Sequence, residues 1–190
     1  MRLKSTIQGK YICLRTAMEE DAEFILSLRL DPQLNVFIGA TDPSLEKQRQ
    51  WLRQKQEVVD DYSMIIEDLD GHRLGTVAVY QVDQQHKTFE WGRWIIAPRQ
   101  ELHVAIESAF WVYSFGFYVL GLETALFGTQ KKNTSVVRFH RSYANVTHED
   151  SEALYFKFQK DDFHKIFSEH RLFRKYMNKD FQSMIKGKIS

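Results

Sequence analysis

The stretch FEWGRWII, Phe89 to Ile96, sets one carboxylate among aromatic rings, and acid–base chemistry could start there. Desolvation by Phe89, Trp91 and Trp94 would raise the pKa of Glu90 toward a value useful to a base near neutral pH. Strand alternation leaves a second reading open, a solvent-facing carboxylate paired with Arg93 or Lys87. Next comes PRQELHVAI, a turn that enters a long apolar-faced helix. The first N–H groups of a helix lack partners and lie at the positive end of its dipole, so such a turn can hold phosphate through backbone alone. No glycine stands between Pro98 and Ala105, and Glu101 at the helix start would repel an anion. An ordinary strand-to-helix turn is therefore the competing reading.

Other chemistries find little support. The histidines at positions 72, 86, 103, 140, 148, 164 and 170 show neither HExxH nor any other ligand spacing, so no metal site is expected. GxSxG, the P-loop and a strand-linked GxGxxG are all missing, which argues against hydrolase and nucleotide-triphosphatase activity. With 26 Lys and Arg against 25 Asp and Glu, no overall field draws in nucleic acid or an anionic membrane. The lone Cys13 cannot staple a secreted fold, and the N-terminus MRLKSTIQGK has no apolar targeting region; a cytoplasmic location is expected.

The elements that must position these residues follow from periodicity. YICLRT alternates as a half-buried strand, and two helices follow, the second opening at Thr41-Asp42-Pro43-Ser44. YSMIIE and RLGTVAVYQ read as strands joined through Asp70-Gly71, a strong hairpin signal, and Phe89 to Ile96 extends the meander. Ala105, Ile106, Ala109, Phe110, Val112, Tyr113, Phe117 and Leu120 recur on one broad helix face, with Gly121 as its C-cap. The helix's rings read mostly as core, with some available for a homodimer face. TALFGT is the next strand, NTSVVRFHRSYA a shorter helix, and ALYFKFQ a late strand before a charged C-terminal helix from about Asp161.

A meander feeding a strand, turn and long helix, then a strand and a helix opening on Asn, resembles the GNAT superfamily of acetyl-CoA-dependent N-acetyltransferases. LRTAMEEDAEFILSLRLDPQLN, FEWGRWI and NTSVVRFHRSYA carry the likeness and are similar to the branch of ribosomal-protein and nucleotide-amino-sugar acetyltransferases. The resemblance implies an α+β fold in one domain, 1–190, with a mixed central sheet of about six to seven strands flanked by helices. It is strongest over residues 10–160, with 161–190 as a helical C-terminal extension. The fourth strand is expected to splay from the fifth, leaving a gap for the pantetheine arm of acetyl-CoA along Ile95 and Ile96.

The resemblance also implies roles. Arg99, His103, Val104 and Ala105 would meet the pyrophosphate and Asn133 would contact the coenzyme, while also serving as an N-cap. Glu90 occupies the place of the family's acid on the fourth strand. Relatives carry a tyrosine seven positions after the Asn to protonate the leaving thiolate; here that position is His140, with Tyr143 one turn on. An imidazolium is a competent donor, and the alternative is a partly exposed helix residue between Arg138 and Arg141. The acceptor would be a small-molecule primary amine bound by LDPQLNVFIGATDP, with Arg29 and Asn35 as candidate substrate residues. A nucleotide-linked amino sugar for surface glycans fits the likeness best; a protein N-terminus, a small amine, or a silent CoA- or partner-binding module are the rivals.

Overall fold

The computed structural model describes residue 3 and residues 6–169. Its core is a sheet of eight strands in the order β1-β2-β3-β4-β5-β6-β8-β7. The strands are β1 (Ile7–Gln8), β2 (Ile12–Thr16), β3 (Tyr62–Asp68), β4 (Arg73–Asp83), β5 (Thr88–Ile96), β6 (Thr124–Gln130), β7 (Asn145–Glu149) and β8 (Ala153–Gln159). The helices are α1 (Ala22–Leu30), α2 (Leu45–Glu57), α3 (Leu102–Ser114), α4 (Thr134–Arg141) and α5 (Lys160–Glu169). The fold is α+β, and the fourth and fifth strands of the sequence reading are β5 and β6. The sheet has eight strands where about six to seven were expected, and two of them are short or exposed: β1 is only two residues long, and all five residues of β7 are exposed. Neither presents the apolar alternation by which a strand is recognised. The expected C-terminal extension is described only as far as α5; its remainder lies outside the described residues. Among the described residues no helix is long and apolar enough to cross a membrane.

Helix α3 buries most of its surface because apolar residues occupy more than one side of it. Ile106, Ala109, Phe110, Val112 and Tyr113 all lie in the main core cluster with Phe89, Trp91, Phe127, Phe156 and Phe158. Each large side chain removed from water there stabilises the fold by roughly 1.5–3 kcal/mol. The sequence predicts a helix running on to Leu120, but the α-helix ends at Ser114 and a π-turn spans Phe115–Val119. Gly116 lies against the Phe89 ring, so close that a Cβ would come within 2.2 Å of it. The chain then turns at Gly121, which takes φ +69° as a C-cap glycine does.

A smaller apolar cluster, Ala17, Ala22, Ile25, Leu52 and Ile65, fastens α1 and α2 to the opposite face. Ser44 caps α2 by accepting the Lys47 N–H at 3.3 Å. At the head of α1 the buried Asp21 accepts the Met18 N–H and holds Arg15 through both carboxylate oxygens.

The feature that shapes the site is a bulge in β5. Ala78 faces Gly92 and Thr76 faces Ile95, so Arg93 and Trp94 together oppose Val77. Arg93 adopts φ +48° and its carbonyl accepts the Thr76 hydroxyl at 2.8 Å. Such an extra residue bends and twists its strand. Strands β5 and β6 run parallel and pair only over Thr88–Glu90 and Thr124–Leu126; beyond that β5 stays with β4 and β6 with β8. The sheet is splayed where the family resemblance implies it.

Candidate active site

The splay opens a cavity of about 320 Å³. Trp91, Gly92, Trp94 and Ile95 from β5 line one side, and Phe127, Gly128 and Thr129 from β6 the other. Asn133, Val136 and His140 of the α4 segment close it. Asn133 is the N-cap of α4, its Oδ1 accepting the Val136 N–H at 3.4 Å, so capping and cavity lining coexist in one residue. His140 is not the partly exposed helix residue that its basic neighbours suggest: it is 3% exposed. Its ring packs at 4.7 Å from Phe127 and 5.6 Å from Trp91, and burial drives its pKa down to about 3. It is neutral near pH 7, which corrects the imidazolium expected from the sequence. Tyr143 Oη lies 2.7 Å from its Nδ1, Tyr113 Oη 3.0 Å further on, and the Trp91 indole N–H donates to Tyr113 at 3.1 Å.

A second cavity, about 510 Å³, lies between α1, α2 and the strands. It meets the first at Arg29, Arg93 and Ile95, which line both. Four cations line it: Arg29, Lys47, Lys55 and Arg93. Asp61, itself buried, takes both guanidinium nitrogens of Arg93 at 2.6 and 2.8 Å and Lys55 at 2.9 Å. Burial alone would raise the Asp61 pKa; the hydrogen bonds from Arg93 and Lys55 outweigh it and hold the carboxyl below its ordinary range. Lys47 pairs with Asp42 at 2.5 Å. Arg29 differs. Its Nε donates to the Thr41 hydroxyl at 2.9 Å, and among the described residues no carboxylate faces it. Burial, followed by repulsion from Arg93, lowers its pKa. A half-buried cation with such surroundings is able to pair with an anion.

The remaining candidates scatter. Glu90 lines neither cavity; it sits opposite Tyr80 in the sheet, one same-face step from Gly92. Burial raises its pKa, in contrast to Asp61. The segment 37–42 borders both cavities through Phe37, Ile38 and Gly39 on one and Ala40, Thr41 and Asp42 on the other, whereas Asn35 is exposed and borders neither. Ile96 ends β5 opposite Gly75. At the following turn Arg99 takes φ +65°, a conformation usually left to glycine, so the missing glycines did not prevent the reversal. Glu101 is the N-cap of α3 without a side-chain cap bond, and the Val104 N–H turns back onto the Glu101 carbonyl at 3.0 Å. That bond engages the Val104 amide inside the first turn of α3, so Val104 does not offer a free N–H to a phosphate. The His103 ring packs against Tyr11 at 4.6 Å.

The sequence offered no signal for Asp61 or for its clamp on Arg93. The two stand 32 positions apart, and only strand pairing brings them together. Tyr113 read as one more core aromatic.

A bulged strand that parts from its parallel neighbour, with a helix entering at its end, gives the chain a splayed α+β architecture. Residues 12–143 match the model of the acetyltransferase (GNAT) domain, and the chain belongs to the GNAT acetyltransferases. Enzymes of this family take their acyl group from acetyl-CoA. Among solved structures the chain is similar to apo FdhC, described as a nucleotide-linked sugar GNAT, at 30% identity and a TM-score of 0.80, covering 92% of this chain and 99% of that one. It shares the fold of a chimera of the spermidine N-acetyltransferase SpeG from Vibrio cholerae and hSSAT, at 15% identity and a TM-score of 0.69, covering 82% and 99%. Among curated proteins no sequence matches the chain.

Proposed function

We propose that this protein transfers an acetyl group from acetyl-CoA to the primary amine of a nucleotide-linked amino sugar. The observation that carries the reading is the lining of the larger cavity. Among the described residues no carboxylate pairs with Arg29, and Lys47, Lys55 and Arg93, held by Asp42 and Asp61, line the same cavity. Such walls attract the phosphates of a sugar nucleotide and repel a polyamine. The likeness to a nucleotide-linked sugar GNAT supports the same choice.

The thioester lies in the smaller cavity, with the pantetheine arm along Ile95 and Ile96, the pyrophosphate near Arg99 and His103, and Asn133 at the mouth. The neutral amine attacks the thioester carbonyl carbon, a C–N bond forms, the C–S bond breaks, and the CoA thiolate leaves. The surplus proton of the amine passes through water to Glu90, whose raised pKa suits it to accept one. Asp61 is unsuited to that task because its cations hold it ionised and occupied.

The test is a comparison of acceptors. With acetyl-CoA present, release of free thiol and product mass are followed for a nucleoside-diphosphate-linked amino sugar, the same sugar without its nucleotide, and spermidine. Two charge-assisted phosphate contacts correspond to a preference in kcat/KM of about 100-fold or more for the nucleotide-linked acceptor. Equal or faster turnover of spermidine would overturn the anionic-acceptor reading.

A further inference from the structure

We infer that Trp91, Tyr113 and Tyr143 form a buried hydrogen-bond chain that holds His140 as its Nε2–H tautomer and presents that N–H to the cavity between β5 and β6. The three are positioning residues, acting through His140. The order of donors follows from chemistry. An indole nitrogen can only donate, so the 3.1 Å contact is Trp91 N–H to Tyr113 oxygen. Tyr113 then passes its own proton toward Tyr143 at 3.0 Å, and Tyr143 donates to Nδ1 of His140 at 2.7 Å. Within these three contacts each hydroxyl accepts once and donates once. The reverse order would bring two donors to the Tyr113 oxygen and require its own proton to be placed elsewhere. With Nδ1 accepting, a neutral imidazole carries its proton on Nε2. The hydrogen bond of His140 runs through Nδ1, and the residue lines the cavity, which leaves Nε2 to face it.

The consequence for acyl transfer rests on the proposed reaction. Complete transfer of the Nε2 proton would leave an imidazolate, or a buried tyrosinate at Tyr143 if the chain shifted with it. Burial raises the pKa of both Tyr113 and Tyr143, which opposes that shift. His140 therefore donates a hydrogen bond to negative charge growing at the thioester and keeps its proton, as a neutral imidazole can. The CoA thiolate, with a thiol pKa of about 8.5, departs and takes its proton from solvent.

The test begins with the tautomer, which needs no substrate. Long-range 1H–15N correlation on histidine-labelled full-length protein at pH 7 should show His140 neutral, protonated at Nε2, with a hydrogen-bonded Nδ1. An imidazolium or an Nδ1–H ring would overturn the inference. Tyr143→Phe keeps the ring and removes the donor; it should release the Nδ1–H form and lower kcat by about 10–100-fold with KM for acetyl-CoA unchanged. A folded variant with the original tautomer and original kcat would overturn the positioning role. Tyr113→Phe, one step further back, gives the same reading if Tyr143→Phe fails to fold. The expected tautomer in a protein that acetylates no amine would sink the proposed reaction and not the chain.

Discussion

The two cavities that meet at Arg29 and Ile95 are built on opposite principles. Around His140 the walls are rings, and ionisable groups are kept neutral: the histidine's pKa falls to about 3 while the pKa values of Tyr113 and Tyr143 rise. Under α1 and α2 the walls are charged, and Asp61 stays ionised because Arg93 and Lys55 offset the penalty of burying it. Burial disfavours the charged form in both places; the outcome depends on whether an opposite charge is within reach. The cleft at His140 sets rings and a neutral imidazole beside Arg29 and Arg93, and under the proposed reaction it receives the thioester. A charged cavity suits an acceptor that brings its own phosphates. Glu90 belongs to neither pattern, being a carboxylate on the charged side whose pKa nevertheless goes up.

That exception predicts the largest effect. Glu90→Gln should lower kcat by about 10²–10⁴-fold, the usual contribution of a general base, with little change in acetyl-CoA affinity. Full activity in the variant between pH 6 and 9 would hand proton removal to water alone. Next comes the unpaired cation. Arg29→Met keeps the apolar stem and should raise KM for a nucleotide-linked acceptor by about 10–100-fold while leaving KM for acetyl-CoA within about two-fold. Equal losses for both substrates would mean that Arg29 serves the junction and not the anion.

Acid should separate the two regions by pH window. The His140 pKa drops from 6.5 in the unfolded chain to about 3 in the folded one, so the unfolded chain takes up the proton first. Stability present above pH 6.5 is lost as pH falls toward 3. Asp21 and Asp61 have depressed pKa values, so their contribution disappears only as pH falls below the ordinary carboxylate range. Urea unfolding of His140→Phe should lose the His140 part of the slope in the upper window and keep its lower limb. An upper-window slope as steep as that of the parent would assign the loss to other groups. Salt should give the smallest effect: raising it from 50 to 300 mM should weaken acceptor binding several-fold, since partly exposed charges are screened, and leave kcat at saturation unaltered. Salt-independent KM would argue for an uncharged acceptor.

Much of the scaffold was legible in advance because its signals are local. Asp70-Gly71 marked the β3–β4 hairpin, where Gly71 takes φ +88°. Ser44 marked the start of α2. The apolar face from Ala105 onward marked α3, although the π-turn after Ser114 did not show because its cause, the Phe89 ring against Gly116, comes from another strand. The site was legible in part. FEWGRWI and Asn133 located the splayed strand and the cap of α4, and Arg29 could be singled out as a cation suited to a phosphate. Asn35, chosen with it, is exposed and borders neither cavity.

Residue order alone determined most of the strands and helices, that a long helix follows β5, and that His140 stands seven positions after Asn133. Only the tertiary structure decided what those side chains are chemically. His140 is neutral because rings from β5, β6, α4 and β8 surround it. Asp61 is ionised because Arg93 crosses from β5 to meet it. A protonation state is set by the field and solvation of neighbours within a few ångströms, and here those neighbours come from segments far apart in the chain.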